Sequence, residues 1–236
     1  MQAKLARKAT PILTLENIQT WEAAAPGILK ERIKSEIKEF HTPNSLINSK
    51  VSLLCQGVST NLKVDAIVSP ANSHLIPGGG LNGAIFAGAG PKLLKECKKI
   101  GYCETGKVVK TSGFELPAKY VIHAVGPIGK SKAKLLAQTY SSILSTIDGT
   151  EIRSIVIPCI STGLYGFPPE KAANIALESV RLFLEKKDNI QKTDRIIFIV
   201  FTPEESHLYM NLFPSFFPIQ ELIEAEEEEI HEYDDY

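Results

Sequence analysis

The chain has 236 residues, of which 44% are hydrophobic and 22% charged, and its formal net charge is −1. That length and balance fit a soluble globular chain with a core of its own and exclude a fibrous, low-complexity or disulfide-scaffolded one. The charge is uneven: the last sixteen residues, ELIEAEEEEIHEYDDY, hold nine acids and no Lys or Arg, which leaves 18 acids against 26 bases elsewhere, a balance of +8.

A basic body suits an anionic ligand, and the acidic end reads as a solvated, disordered segment. Cys55, Cys97, Cys103 and Cys159 form no C-x-x-C pair and have no histidine at ligand spacing. Neither a zinc site nor a disulfide framework is expected, and reduced thiols place the chain in the cytoplasm or nucleus. No apolar run approaches the length of a membrane span, and MQAKLARKAT reads as a frayed start rather than a leader.

In chain order, residues 15–40 read as helical with a break at Pro26, packed outside the main pattern. HTPNSLINSK (41–50) is turn-forming. Apolar runs then alternate with helical spacing. VSLLC (51–55), DAIVS (65–69), KVVKTSG (107–113), KYVIHAV (119–125), SIVIPCI (154–160) and RIIFIVF (195–201) read as strands, several apolar throughout as strands covered on both faces are. Helices are expected near 82–99, 131–147, 168–187 and 203–212. The third starts with proline and glutamate and ends in lysines, the polarity a helix dipole favours. This alternation predicts a three-layer α/β/α sandwich around a mixed, mostly parallel six-stranded sheet.

In such folds ligands sit beyond the C-terminal strand ends. Two glycine-bearing loops leave those ends here, SPANSHLIPGGGLNG after the second strand and STGLYGFPP after the fifth. Neither carries the G-K-[ST] of a P-loop, and neither is a dinucleotide fingerprint, which sets aside a nicotinamide-dependent oxidoreductase. Glycine lets backbone amides approach a phosphate closely, so two such loops can cradle a diphosphate without lysine. For GGG alone, a tightly packed turn is an equal reading. His123 lies within a strand and reads as a structural residue, and His74 as a rim contact.

VDAIVSPANSHLIPGGGLNGAI, GKVVKTSGFELPAKYVIHAVGP and IPCISTGLYGFPPEKAANIAL follow one another in order. Together they resemble the macro domain family, and most closely its MacroD-type branch. The second resembles that branch's G-x-x-x-x-T-x-G-[FY]-x-L-P-A-K-Y-V-I-H-x-V-G-P segment and the third its P-C-I-S-T-G-x-[FY]-G-[FY]-P segment. The resemblance implies a helical extension over 1–48, a macro domain over 49–218 and an acidic tail over 219–236. It implies a cleft for ADP-ribose or a mono-ADP-ribosylated protein, without metal or cofactor, in a monomer that binds neither nucleic acid nor membrane. The implied activity is hydrolysis of mono-ADP-ribose from acidic side chains, or of O-acetyl-ADP-ribose.

Residue by residue, the resemblance implies that Asn72 holds the distal ribose hydroxyls. Gly78, Gly79, Gly80 and Gly83 belong to the turn around that ribose and its phosphate. Ser161, Thr162, Gly163, Leu164 and Tyr165 wrap the diphosphate through backbone amides, with the Tyr165 ring near the distal ribose. Phe201 flanks the adenine. Asn72, Asn82 and Tyr165 are the candidates for a catalytic part.

Four positions depart from the family pattern. Ser69-Pro70-Ala71-Asn72 stands for N-A-A-N, and Pro70 removes a backbone donor. Pro77 precedes the glycines. Gln56-Gly57-Val58-Ser59-Thr60 lacks the aspartate that reads adenine, leaving Val58 as an apolar contact and Gln56 as a weaker acceptor. Leu81-Asn82-Gly83 stands for V-D-G, whose aspartate is assigned to the catalytic water. A carboxamide cannot take a proton at neutral pH, so Asn82 orients a water at most, and reduced activity is expected. Three readings follow: a slowed hydrolase, a non-catalytic reader of ADP-ribose or ADP-ribosylated proteins, and a scaffold with another ligand.

Overall fold

The computed structural model describes residues 11–30, 41–55, 57 and 59–220. The expectations for Gln56, Val58, the first ten residues, residues 31–40 and the acidic end beyond residue 220 lie outside them.

Helix α1 (Trp21–Lys30) and the short α2 (Ser45–Asn48) precede strand β1 (Val51–Cys55). Strand β2 (Ala66–Pro70) leads through the glycine loop into α3 (Gly80–Ala89) and α4 (Pro91–Ile100). Strands β3 (Val108–Ser112) and β4 (Tyr120–Ala124) precede α5 (Ala133–Leu144). Then come β5 (Ser154–Pro158), α6 (Pro169–Leu184), α7 (Lys187–Lys192), β6 (Arg195–Val200) and α8 (Pro203–Phe216). The strands form one six-stranded sheet in the order β1-β6-β5-β2-β4-β3. Every neighbouring pair is parallel except β3 and β4.

Successive strand side chains point to opposite faces of the sheet, and this sorts the core into two. Ala66, Val68, Ile155, Ile157, Ile196 and Phe198 meet apolar residues of α1, α5, α6 and α8. Ile67, Val156, Ile197 and Ile199 meet Ile85 and Phe86 of α3 and Leu93 and Cys97 of α4. Helices on both faces explain why the strands are apolar throughout rather than alternating.

Helix α1 does not merely lie outside the core. Trp21, Ala25 and Leu29, at helical spacing, are buried in the larger core cluster, and Trp21 Nε1 donates to the Phe217 carbonyl at 2.8 Å. Nor does Pro26 break the helix: α1 runs through it. Proline forfeits one intrahelical hydrogen bond, and burial of the same face before and after it holds the helix together. The single helix expected over 82–99 is two, divided at Gly90, whose φ of 77° is the left-handed conformation that glycine adopts without strain. Helix α8 reaches Phe216, beyond the expected residue 212, because Phe213 and Phe216 continue its buried face.

Candidate ligand cleft

A cleft of about 400 Å³ opens at the C-terminal ends of β2, β5 and β6, lined by residues of the loops that leave them. The sheet order places β5 between β6 and β2. Neighbouring strands are ~4.8 Å apart, so the β6 and β2 ends of the cleft are separated by roughly 10 Å. Of the sequence-predicted residues, Asn72, Gly78, Gly79, Gly80, Asn82, Ser161, Thr162, Gly163, Leu164, Tyr165 and Phe201 all line it. Gly83 does not; it stands behind the turn.

At the β2 end the glycine turn is held by side chains. Leu75 is 1% exposed and plugs the loop into the core. Asn72 brackets the backbone of Ile76: its Nδ2 donates to the Ile76 carbonyl at 2.8 Å, and its Oδ1 accepts the Ile76 amide at 3.3 Å. Asn82, buried, accepts the Gly78 amide on Oδ1 at 2.6 Å and donates through Nδ2 to Ser69 Oγ at 3.0 Å. A carboxamide has two donor hydrogens and two acceptor lone pairs, so Asn72 and Asn82 each keep capacity for a ligand or a water. Gly83 is required by packing, since a Cβ there would fall 2.5 Å from the Gly78 carbonyl oxygen. Gly80 has φ of 57° at the first position of α3. No side chain caps this helix, which leaves amides of its first turn for the cleft, at the positive end of the helix dipole.

In the middle, residues 161–165 follow β5. The Gly166 amide donates to the Gly163 carbonyl and the Phe167 amide to the Ser161 carbonyl, both at 2.9 Å, which curls the loop. Among the described residues, no hydrogen bond takes the amides of Thr162, Gly163, Leu164 or Tyr165. Ser161 holds φ of 68° and is buried, and its Oγ has no partner among the described residues. A non-glycine residue in that conformation stores strain of the kind that concentrates at ligand sites. Gly126 makes the arrangement possible, because a Cβ on it would lie 2.3 Å from Ser161 Oγ. Tyr165 Oη donates to the Ala71 carbonyl at 3.5 Å, a long hydrogen bond linking the two glycine-bearing loops.

At the β6 end stand Phe201, 39% exposed, and Glu205, a cleft residue that the sequence reading missed. Thr202 and Glu205 form the capping box of α8. That pattern signals a helix start and conceals that the same carboxylate faces a cleft. Cys159 lies beside it. Burial, with the Glu205 charge adding to it, pushes the Cys159 thiol up to about 12, so it is no nucleophile at neutral pH.

His123 is fully buried in β4 and outside the cleft lining. Its Nε2 lies 3.0 Å from Thr111 Oγ1, and burial lowers the imidazole to about 4. It is a structural residue. His74 packs on the Tyr102 ring at 5.9 Å, also outside the lining. No group of three or more His, Cys, Asp or Glu among the described residues is placed to hold a metal ion.

A three-layer sandwich whose parallel strand ends present a glycine turn, a helix N-terminus and a loop of free amides is an anion-binding α/β domain. The family model described as Macro domain matches residues 68–176. The chain is 46% identical over 202 residues to ADP-ribose glycohydrolase MACROD2 of Xenopus laevis, covering 80% of this chain and 47% of that protein. It is 39% identical over 212 residues to ADP-ribose glycohydrolase MACROD1 of Rattus norvegicus, covering 88% of this chain and 80% of that one. The crystal structure of the Trypanosoma brucei macrodomain in complex with ADP-ribose superposes with a TM-score of 0.71 at 36% identity, over 85% of this chain and 75% of that one. The chain belongs to the macro domain family, in its MacroD-type branch. It spans about half the length of the Xenopus laevis relative.

Proposed function

We propose that the chain binds ADP-ribose in this cleft and hydrolyses single ADP-ribose units from acidic side chains, or O-acetyl-ADP-ribose, more slowly than a relative with an acid at position 82. The observation that carries this reading is the order along the strand ends. An exposed aromatic stands at β6, unpaired amides at β5, and a glycine turn with two carboxamides at β2. An ADP-ribose molecule laid along them puts its base on Phe201, its diphosphate over residues 161–165 and the first turn of α3, and its distal ribose against Asn72. Two relatives named ADP-ribose glycohydrolase and a neighbour bound to ADP-ribose support ADP-ribose as the ligand.

In this reading the amides and Ser161 Oγ stabilise the diphosphate, and Asn72 and Tyr165 position the distal ribose. The free Nδ2 hydrogen of Asn82 holds the water that attacks the anomeric carbon of the distal ribose; the bond from that carbon to the acidic side chain breaks, the carboxylate leaves, and a substrate phosphate oxygen receives the water's proton. Glu205, at the opposite end of the cleft, is too far from the distal ribose to serve as base. The protein acts as a monomer, without metal or cofactor, on a mono-ADP-ribosylated protein and not on nucleic acid. Its four cysteines, none of them in a disulfide among the described residues, support a reducing compartment, cytoplasm or nucleus.

One observation favours a second reading, a reader without turnover: Asn82 holds Ser69 and Gly78 together, and its amide is no base. Incubation with a glutamate-linked mono-ADP-ribosylated protein separates the two. Release of ADP-ribose above the uncatalysed rate supports the hydrolase, and retention of the modification with measurable binding supports the reader.

A further inference from the structure

We propose that Glu205 reads the nucleotide base, selecting a purine that carries an exocyclic amino group over one that carries a carbonyl at that position; this rests on the ADP-ribose reading above. Among the described residues that line the cleft, Glu205 is the one ionisable acid, and no Lys or Arg joins it. A carboxylate repels a diphosphate in a partly desolvated cleft, so the phosphates lie away from it, over the free amides of the β5 loop. The end where Glu205 stands is therefore the end of the base.

That end is built for a flat heteroaromatic ring with a donor edge. Glu205 Oε2 accepts the Phe201 amide at 2.9 Å and the Thr202 amide at 3.4 Å. The carboxylate and the exposed aromatic residue are thus fixed to one another by the capping box that starts α8. An ionised carboxylate accepts at about four lone-pair positions and donates at none. With these two amides and the neighbouring Cys159 thiol as partners, the carboxylate still has acceptor capacity, which an amino group satisfies and a carbonyl opposes. A charge-assisted hydrogen bond is the stronger kind, and a site that accepts a hydrogen bond from the exocyclic amino group disfavours an analogue that puts a carbonyl oxygen at that position.

The test is calorimetric titration of the full chain with ADP-ribose and with its hypoxanthine analogue, for the wild type and for Glu205→Gln. Glutamine keeps an oxygen for the amides of Phe201 and Thr202 and adds a donor toward the base. The wild type is expected to prefer ADP-ribose by about tenfold or more, and Glu205→Gln to narrow or reverse that ratio. A merely structural cap would weaken both ligands alike, and an unchanged ratio overturns the proposal. Equal affinities in the wild type overturn it without any variant, should Glu205→Gln fail to fold. Absence of binding by either ligand overturns the ADP-ribose reading itself, and the base assignment with it.

Discussion

Asn82 Nδ2 donates to Ser69 Oγ at 3.0 Å, tying the first turn of α3 to the end of β2. Its Oδ1 takes the Gly78 amide, so one side chain sets the distance between the strand end and the glycine turn. Asn82 and Ser69 both stand where the sequence departs from the family pattern. An aspartate at 82 still accepts the Gly78 amide, and the Ser69 hydroxyl can rotate to donate to it. Asn82→Asp should keep the turn and supply a base, raising turnover of a glutamate-linked ADP-ribosyl substrate on the order of 10²-fold. An unchanged rate with unchanged ADP-ribose affinity would mean that position 82 does not face the water.

Gly163 sits in open space in the phosphate loop: a Cβ there meets nothing within 4 Å. Gly163→Glu should therefore fold normally while placing bulk and negative charge where the diphosphate lies. Melting temperature is expected to stay within a few degrees and ADP-ribose affinity to fall at least ~100-fold, about 2.8 kcal/mol. Affinity retained in the folded variant would remove the diphosphate from this loop.

Gly83 makes the opposite case. Its hydrogen faces the Gly78 carbonyl so closely that alanine must push the turn outward. Gly83→Ala should cost about 1–3 kcal/mol of stability through overpacking and weaken ADP-ribose binding, although Gly83 does not line the cleft. Chemical denaturation and titration of the same preparation check both effects, and normal values in both would contradict the packing described.

His123 predicts a pH limb. Its imidazole titrates near 4 in the folded chain because of burial, against ~6.5 when unfolded. The unfolded state takes up the proton first, so this contribution leaves stability intact above about pH 6.5, erodes it as pH falls, and completes the loss below 4. At pH 5 the cost is about 2 kcal/mol. Urea unfolding at pH 7 and pH 5 should show His123→Gln losing about 2 kcal/mol less than the wild type over that interval. Equal losses would show that His123 is not buried neutral.

Much of this was legible in the chain. The six strands fall within one or two residues of the expected runs, because strands covered on both faces carry continuous apolar stretches that end at turn residues. The glycine-bearing loops converge because parallel strands deliver them to one edge. What was not legible depends on pairings between distant positions. Gly126 against Ser161, Gly83 against Gly78 and Ser69 against Asn82 are contacts that no periodicity encodes. Glu205 was hidden by its own local signal, since Thr202-Pro203-Glu204-Glu205 reads as a helix start and nothing more. Pro26 misled for a related reason: the tertiary packing of Trp21, Ala25 and Leu29 overrides a local breaker.

The central claim is that the cleft across β6, β5 and β2 holds ADP-ribose. Isothermal titration of the full chain with ADP-ribose tests it most directly, with Gly163→Glu titrated beside it. A saturable heat at micromolar ligand that disappears in the folded variant is the result this account predicts. No heat at millimolar ADP-ribose, or the same heat in both proteins, would contradict it.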